Sequence, residues 1–288
     1  MSNLYLFKDK QWLTDMLLKY GNVKDICVNE HVASTSIYRY IRKYDLSSLI
    51  QEPVYHGSIH TNLKYNFFDT IQTEEQAYWL GMFMSDGNIG DNGRKSYHIR
   101  LASKDYTHLY KFCDAVSVTR DIVSVNKNGV GCACIHSKRM YHSLIQCGMH
   151  PGQKVRNTFP TFLPDELVRH FIRGYFDGDG SVFCRNQVDG KRKRSLCVVF
   201  FCLVNYNMAQ TFVDIFESLG VSVSIHHKVL KSGMTVYDIK TESIEKTQRI
   251  LTWMYNDSTI YMQRKYDKAM ETLELIAHSS RKARVHIG

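Results

Sequence analysis

Apolar and polar positions divide the chain into stretches of different period. Residues 9–20 (DKQWLTDMLLKY) place Trp12, Leu13, Met16 and Leu17 on one helical face, and Gly21-Asn22 ends that helix. A short helix fits 23–29, and a third follows Ser34-Thr35-Ser36 in SIYRYIRKYDL. Residues 47–70 keep no period and hold Pro53 and Gly57, the pattern of a linker. From residue 71 helical and strand periods alternate. TEEQAYWLGMFMSDG opens with Thr73 before Glu74, Glu75 and Gln76, a capping-box start to an apolar helix. Strands near 88–89 and 96–103, helix KDYTHLYKFCDAV, a hairpin across Asn128-Gly129 and helix KRMYHSLIQCG complete that round. Pro164 and Asp165 open a second round through ELVRHFIRGYFDGDG, and a hairpin across Lys231-Ser232-Gly233 leads to helix SIEKTQRILTWMY. Both rounds spell α-β-β-α-β-β-α. A repeat of about 90 residues is too long for a solenoid unit and implies a duplicated half closing on a pseudo-twofold axis.

Within each round one segment repeats. Residues 79–87 (WLGMFMSDG) and 172–180 (IRGYFDGDG) carry Gly81 and Gly174 third, Ser85 and Gly178 seventh, then Asp86-Gly87 and Asp179-Gly180. Small residues one turn apart on one face let two helices pack backbone to backbone. Such packing brings Asp86 and Asp179 together at adjacent helix ends. Carboxylates held that close repel, and a divalent cation removes the cost. Carboxylate and carbonyl oxygens suit Mg²⁺.

Charge narrows the partner. The chain has 37 Lys and Arg against 28 Asp and Glu, a net +9. Residues 71–288 hold 29 basic and 21 acidic residues, so eight of the nine excess charges lie there. That favours a polyanion bound through phosphate contacts. Hairpin tips carry much of the charge: Arg94 and Lys95 in the first round, Lys191, Arg192, Lys193 and Arg194 in the second. Arg185 and Gln187 fall on one face of the strand before that second tip. The 8 cysteines form no CxxC pair and mostly sit in apolar runs, as reduced thiols in a reducing compartment do. Cys132, Cys134 and His136 alternate along a strand, but zinc ligands are spaced otherwise. The start of the chain lacks a signal-peptide pattern and no apolar run reaches transmembrane length, so an intracellular (cytoplasmic), membrane-free monomer or loose oligomer is expected.

The first stretch resembles a helix-turn-helix of the resolvase or transposase sort, carried by KDICVNEHVASTSIYRYIRK. In that motif the last helix enters the major groove by its N-terminal residues. This nominates Ser34, Thr35, Ser36, Tyr38 and Arg39 for groove contacts and Arg42 and Lys43 for phosphates; a helical cap with solvated charges is the alternative.

WLGMFMSDG and IRGYFDGDG, each opening an α-β-β-α-β-β-α round, resemble the two motif copies of a LAGLIDADG homing endonuclease, and QRKY resembles that family's closing segment. Met84 departs from the motif's sixth residue, and Arg173 and Tyr175 replace aliphatic residues, changes that alter packing more than chemistry. The resemblance covers 71 to about 275. It implies an α/β (α+β) pseudo-dimer with a small all-α N-terminal domain: residues 1–46 helix-turn-helix-like, 47–70 linker, 71–163 repeat 1, 164–275 repeat 2 and 276–288 a basic C-terminal tail. It implies site-specific cleavage of double-stranded DNA with Mg²⁺, or Mn²⁺ in its place, held by Asp86 and Asp179 with the carbonyls of Ser85 and Gly178. Two four-stranded sheets would saddle the major groove. By the same mapping Lys104 and Asn205 orient water, and Lys154 and Arg264 or Lys265 stabilise phosphate charge. The alternatives are a non-cleaving DNA-binding regulator on this fold and an intron RNA maturase.

Overall fold

The computed structural model describes residues 6–20, 23–30, 32, 34–46, 49, 62–93, 96–189 and 192–285, without the side chains of 24, 25, 28, 34, 35, 186–189, 192–195 and 279–285. The chain divides into two compact units, Met1–Thr61 and Asn62–Gly288.

In the first unit α1 (Lys10–Tyr20), α2 (Val23–Glu30) and α3 (Ser34–Lys43) share one apolar centre. Leu13, Leu17, Val23, Ile26, Ile37, Ile41 and Leu46 are buried in it. The face of α3 opposite Ile37 and Ile41 exposes Tyr38, Arg39, Arg42 and Lys43.

The second unit begins earlier than the linker expectation allowed. Residues 62–70 are part of the body: Leu63, Phe67 and Phe68 are buried in its core, and the Lys64 amide donates to the Val116 carbonyl at 3.0 Å. Asp69 accepts from Arg139 at 2.8 Å, tying this segment to a helix 70 residues on.

The body then runs α4 (Glu74–Ser85), β1 (Gly87–Asp91), β2 (Tyr97–Ser103), α5 (Tyr106–Ala115), β3 (Val123–Val125), β4 (Gly131–Ile135) and α6 (Lys138–Gln146). The second round follows as α7 (Asp165–Asp179), β5 (Gly180–Asp189), β6 (Arg192–Leu203), α8 (Tyr206–Ser218), β7 (Ser224–Val229), β8 (Thr235–Thr241) and α9 (Ile244–Tyr255). The Thr73 capping box forms: its side chain accepts from the Gln76 amide while the Gln76 side chain accepts from the Thr73 amide. Ala77 to Ser85 are all buried, which explains a helix apolar all round.

Each round builds one four-stranded antiparallel sheet, ordered β1-β2-β4-β3 and β5-β6-β8-β7. The same order in both rounds makes the duplication a structural fact. Register sets the inward faces: Ile89, Ile99 and Ile135 align across the first sheet, and Gly180, Phe201 and Ile239 across the second. One continuous core spans both rounds.

Two expectations need correction. The stretch expected as a tail from 276 continues α10 (Gln263–Val285), on which Ala269, Thr272 and Ile276 are buried. The cysteines are not all free: Cys184 and Cys197 face each other across β5 and β6, with Cα atoms 4.1 Å apart, and form a disulfide. Only the register of that pair brings them together.

Candidate active site

The site grows from the contact of α4 with α7. A Cβ on Gly81 would lie 2.0 Å from the Phe171 carbonyl oxygen, and one on Gly174 would lie 2.0 Å from that of Tyr78. Only hydrogen fits at either position, so the two backbones touch. Towards the helix ends, a Cβ on Gly178 would meet Ser85 Oγ at 2.1 Å and Asp86 Oδ2 at 3.2 Å. Asp86, the residue that caps α4, therefore sits against the last turn of α7, which ends in Asp179.

Two ammonium groups close on these acids. Lys154, in a short 3-10 turn after the first round, donates from Nζ to the Ser85 carbonyl. Lys265, in the first turn of α10, donates from Nζ to the Gly180 carbonyl. Each follows the last helix of its round, and both lower the pKa values of both acids.

Desolvation still dominates. It pushes the Asp86 carboxyl above its ordinary value against the pull of Lys154, Lys265 and Arg264. Asp179 rises to about 6, through desolvation first and the neighbouring Asp86 charge second. Asp179 stands at an open rim, where its side chain is exposed. Burial also lowers the Lys265 ammonium, assisted by Arg264 beside it.

Two desolvated acids, one of them raised further by its neighbour's charge, fit a divalent cation, which would offset both costs. The donors present are the two carboxylates and the Ser85 and Gly178 carbonyls, and Lys154 already holds the first of those carbonyls. Among the described residues no group of three or more His, Cys, Asp or Glu side chains forms a metal site. Cys134 instead meets His136 at 3.8 Å and Cys132 turns to the Ala133 carbonyl.

The remaining nominated residues separate. Asn205 caps α8, accepting from the Met208 amide at 2.9 Å, and its Nδ2 donates to the Val155 carbonyl at 2.7 Å. Its counterpart in the first round is Asp105, which caps α5 by accepting from the His108 amide at 3.1 Å. Lys104 precedes that cap and is exposed, so the expected equivalence of Lys104 with Asn205 is off by one residue. Arg264 is exposed and acts electrostatically on Asp86 and Asp105, whereas Lys265 enters the site.

On the sheets, Arg185 is exposed and pairs with Glu242 at 3.2 Å. Arg100, on the face of β2 away from the helices, is exposed as well. Arg94, Lys95 and Lys191 lie outside the described residues, as do the side chains of Ser34, Thr35, Gln187, Arg192, Lys193 and Arg194. The backbone register still pairs Gln187 with Arg194, two positions along from Arg185 and Leu196. Ser36 is partly buried, unlike Tyr38, Arg39, Arg42 and Lys43.

Sequence reasoning missed a buried polar group beneath the acids. Asp177 is fully buried and accepts from Tyr78 at 2.7 Å, Tyr255 at 2.6 Å and the Met262 amide at 2.7 Å. Arg173, also fully buried, pairs with Glu74 at 2.6 Å. Burial lowers the His170 pKa to about 4, and its neutral Nδ1 lies 2.9 Å from Arg173 Nη1. The available signal was a carboxylate and a guanidinium inside an apolar helical run, which must find partners when buried.

Residues 166–279 match the LAGLIDADG-like domain family. The LAGLIDADG meganuclease I-AabMI bound to uncleaved DNA is similar in structure, with a TM-score of 0.54 at 8% identity, covering 73% of this chain and 92% of that one. The I-LtrWI LAGLIDADG homing endonuclease bound to target DNA gives 0.51 at 12% identity, covering 76% and 92%. I-SmaMI bound to an uncleaved DNA target in the presence of calcium ions gives 0.50 at 12% identity, covering 74% and 93%. No curated protein matches the chain. The body of this protein has the LAGLIDADG homing endonuclease fold, and residues 166–279 within it are similar to the LAGLIDADG-like domain.

Proposed function

We propose that the chain is a site-specific double-strand DNA endonuclease. The observation that carries this reading is the meeting of Asp86 and Asp179 at the touching ends of α4 and α7, with one lysine from each round beside them. A regulator that only binds DNA has no use for two desolvated acids brought together at the junction of its motif helices.

Asp86 and Asp179, with the Ser85 and Gly178 carbonyls, would hold Mg²⁺, with Mn²⁺ substituting. Bound there, the ion supplies an activated water and charge stabilisation for the leaving oxygen. The protein's own groups do the rest. Lys154 and Lys265 present one ammonium group at the end of each motif helix, placed to stabilise charge building on a phosphate. Asn205 holds the Val155 carbonyl and so fixes the turn that carries Lys154. Because one chain supplies both half-sites, a monomer is sufficient to cut both strands.

The sheet faces opposite the core form the DNA-reading surface, with Arg100 and Arg185 exposed on them and the basic hairpin tips reaching phosphates. Arg185 exchanges Glu242 for DNA on binding. Three solved structures of the same fold carry DNA, which supports this choice of ligand. The exposed Tyr38, Arg39, Arg42 and Lys43 face of α3 suits a second contact on flanking duplex, with Ser34, Thr35 and Ser36 leading the helix. The chain therefore acts inside a compartment that holds DNA; among the described residues no helix is long and apolar enough to cross a membrane.

The test is cleavage of a randomised plasmid library. Linear product with Mg²⁺ or Mn²⁺, and retained binding without cleavage in Ca²⁺, is expected. Tight binding with no cleavage in any divalent cation would favour a regulator, and selective cleavage-free binding of intron RNA would favour a maturase.

A further inference from the structure

The two lysines are held in different ways. The Lys154 turn is exposed and is fixed locally, by Asn157 accepting from the His150 amide at 2.8 Å and by the Asn205 contact. Lys265 is half-buried, and the connection leading to it is fastened to the motif helices by three side chains. Glu74 of α4 accepts from the Thr259 amide at 2.8 Å and from its hydroxyl at 3.0 Å. Arg173 of α7 donates to the Ile260 carbonyl at 3.0 Å and the Met254 carbonyl at 2.7 Å.

Asp177 makes the last and nearest fastening. Its Oδ2 accepts from the Met262 amide at 2.7 Å, and the Met262 carbonyl in turn accepts from the Lys265 and Tyr266 amides at 2.9 and 3.0 Å. Met262 is thus the hinge between the buried carboxylate and the first turn of α10. Tyr78 and Tyr255 also donate to Asp177, so its orientation is fixed from α4 and α9 as well. In the first round the positions matching Arg173 and Asp177 are Leu80 and Met84, which can hold no backbone group.

We propose that Asp177, braced by the Glu74–Arg173 pair, is the positioning residue for Lys265. This rests on the nuclease reading for its purpose, but the arrangement itself can be tested without any nuclease activity. The motif helices then set the placement of one catalytic lysine directly, and the other depends on its own turn.

Brief acetylation of the folded protein by a water-soluble N-hydroxysuccinimide ester, read by mass spectrometry, reports Lys265 and Lys154 in the same sample. In the unmodified chain Lys265 should react more slowly. Asp177→Asn keeps the shape and removes the charged acceptor, so Lys265 labelling should rise roughly tenfold while Lys154 stays unchanged. Glu74→Gln, at a partly exposed position, should do the same to a smaller extent and stands in if Asp177→Asn does not fold. Equal rises at both lysines, or no rise at Lys265, would overturn the proposal. Where the wild type cleaves DNA, Asp177→Asn and Lys265→Ala should be non-additive, the double variant cutting no more slowly than Lys265→Ala alone. Additive losses would show that Asp177 acts elsewhere. A wild type that never cuts, with the labelling result intact, would reject the nuclease reading and keep the positioning.

Discussion

Replacing Gly174 by Ala adds one methyl group where the structure leaves no room. Its Cβ would lie 2.0 Å from the Tyr78 carbonyl oxygen, 2.9 Å from the Tyr78 carbonyl carbon and 3.0 Å from the Met82 nitrogen. Ordinary contact begins near 3.4 Å, so the helices must part by about 1.4 Å along that direction to restore it. All three obstructing atoms are backbone in the buried stretch Ala77–Ser85 of α4, and no side chain can rotate to relieve them. Overpacking a core costs about 1–3 kcal/mol, and an unyielding backbone places this case at the upper end. The same displacement moves Asp86 from Asp179, and a misplacement of about 1 Å can cost about 100-fold in rate. Gly81→Ala meets the Phe171 carbonyl at 2.0 Å and should cost as much. Gly178→Ala meets Ser85 Oγ first, a side-chain atom, and should cost less. Urea unfolding followed by fluorescence of Trp79, buried on α4, measures the series alongside cleavage rates. A Gly174→Ala protein within 0.5 kcal/mol of wild type would refute the claim that these backbones touch.

Three further outcomes are expected. The Asp179 carboxyl titrates near 6 instead of 3.8, so its favoured form is the protonated one: its contribution to stability is full below about pH 4 and is lost as pH rises through 6. In metal-free protein Asp179→Asn should therefore gain stability at pH 7, about 1 kcal/mol once solvent screening at the open rim is allowed for, and gain nothing at pH 3.5 in parallel melts. Duplex affinity should fall steeply with salt, with a shallower slope when Lys191, Arg192, Lys193 and Arg194 become Ala, as fluorescence anisotropy titrations at several salt concentrations will report. A chain starting at Asn62 retains the whole second unit and should still cleave, with a shorter footprint on its DNA; an unchanged footprint would make the first unit a structural module only.

Local chemistry made much of this legible in the sequence. Thr73 to Gln76 spell a cap, Gly81 and Gly174 spell a close helix contact, and two rounds with one element order spell two sheets of one topology. What stayed hidden depends on distance along the chain. Whether Lys104 or Asp105 matches Asn205 is decided by which side chain reaches the amide three residues on, and SKDY offers both a charge and a cap. Phe67 and Phe68 looked like part of a linker because their partners come from later elements such as Phe83. The Cys184–Cys197 bond needed the register of β5 against β6. Asp177 reads as one more motif acid until the fold brings Tyr255 and Met262 to it, 78 and 85 residues away.

On the proposed function, Asp86 and Asp179 act together in metal-dependent hydrolysis. Asp→Asn at either position removes a ligand charge with little change of shape, and the double variant removes both. The decisive measurement is single-turnover cleavage of a bound target duplex in Mg²⁺, both strands resolved, with affinity measured in Ca²⁺. Each single variant should bind as wild type does and lose cutting of both strands, and the double variant should cut neither. Full double-strand cleavage by the Asp86→Asn, Asp179→Asn protein would show that these two acids are not the catalytic pair.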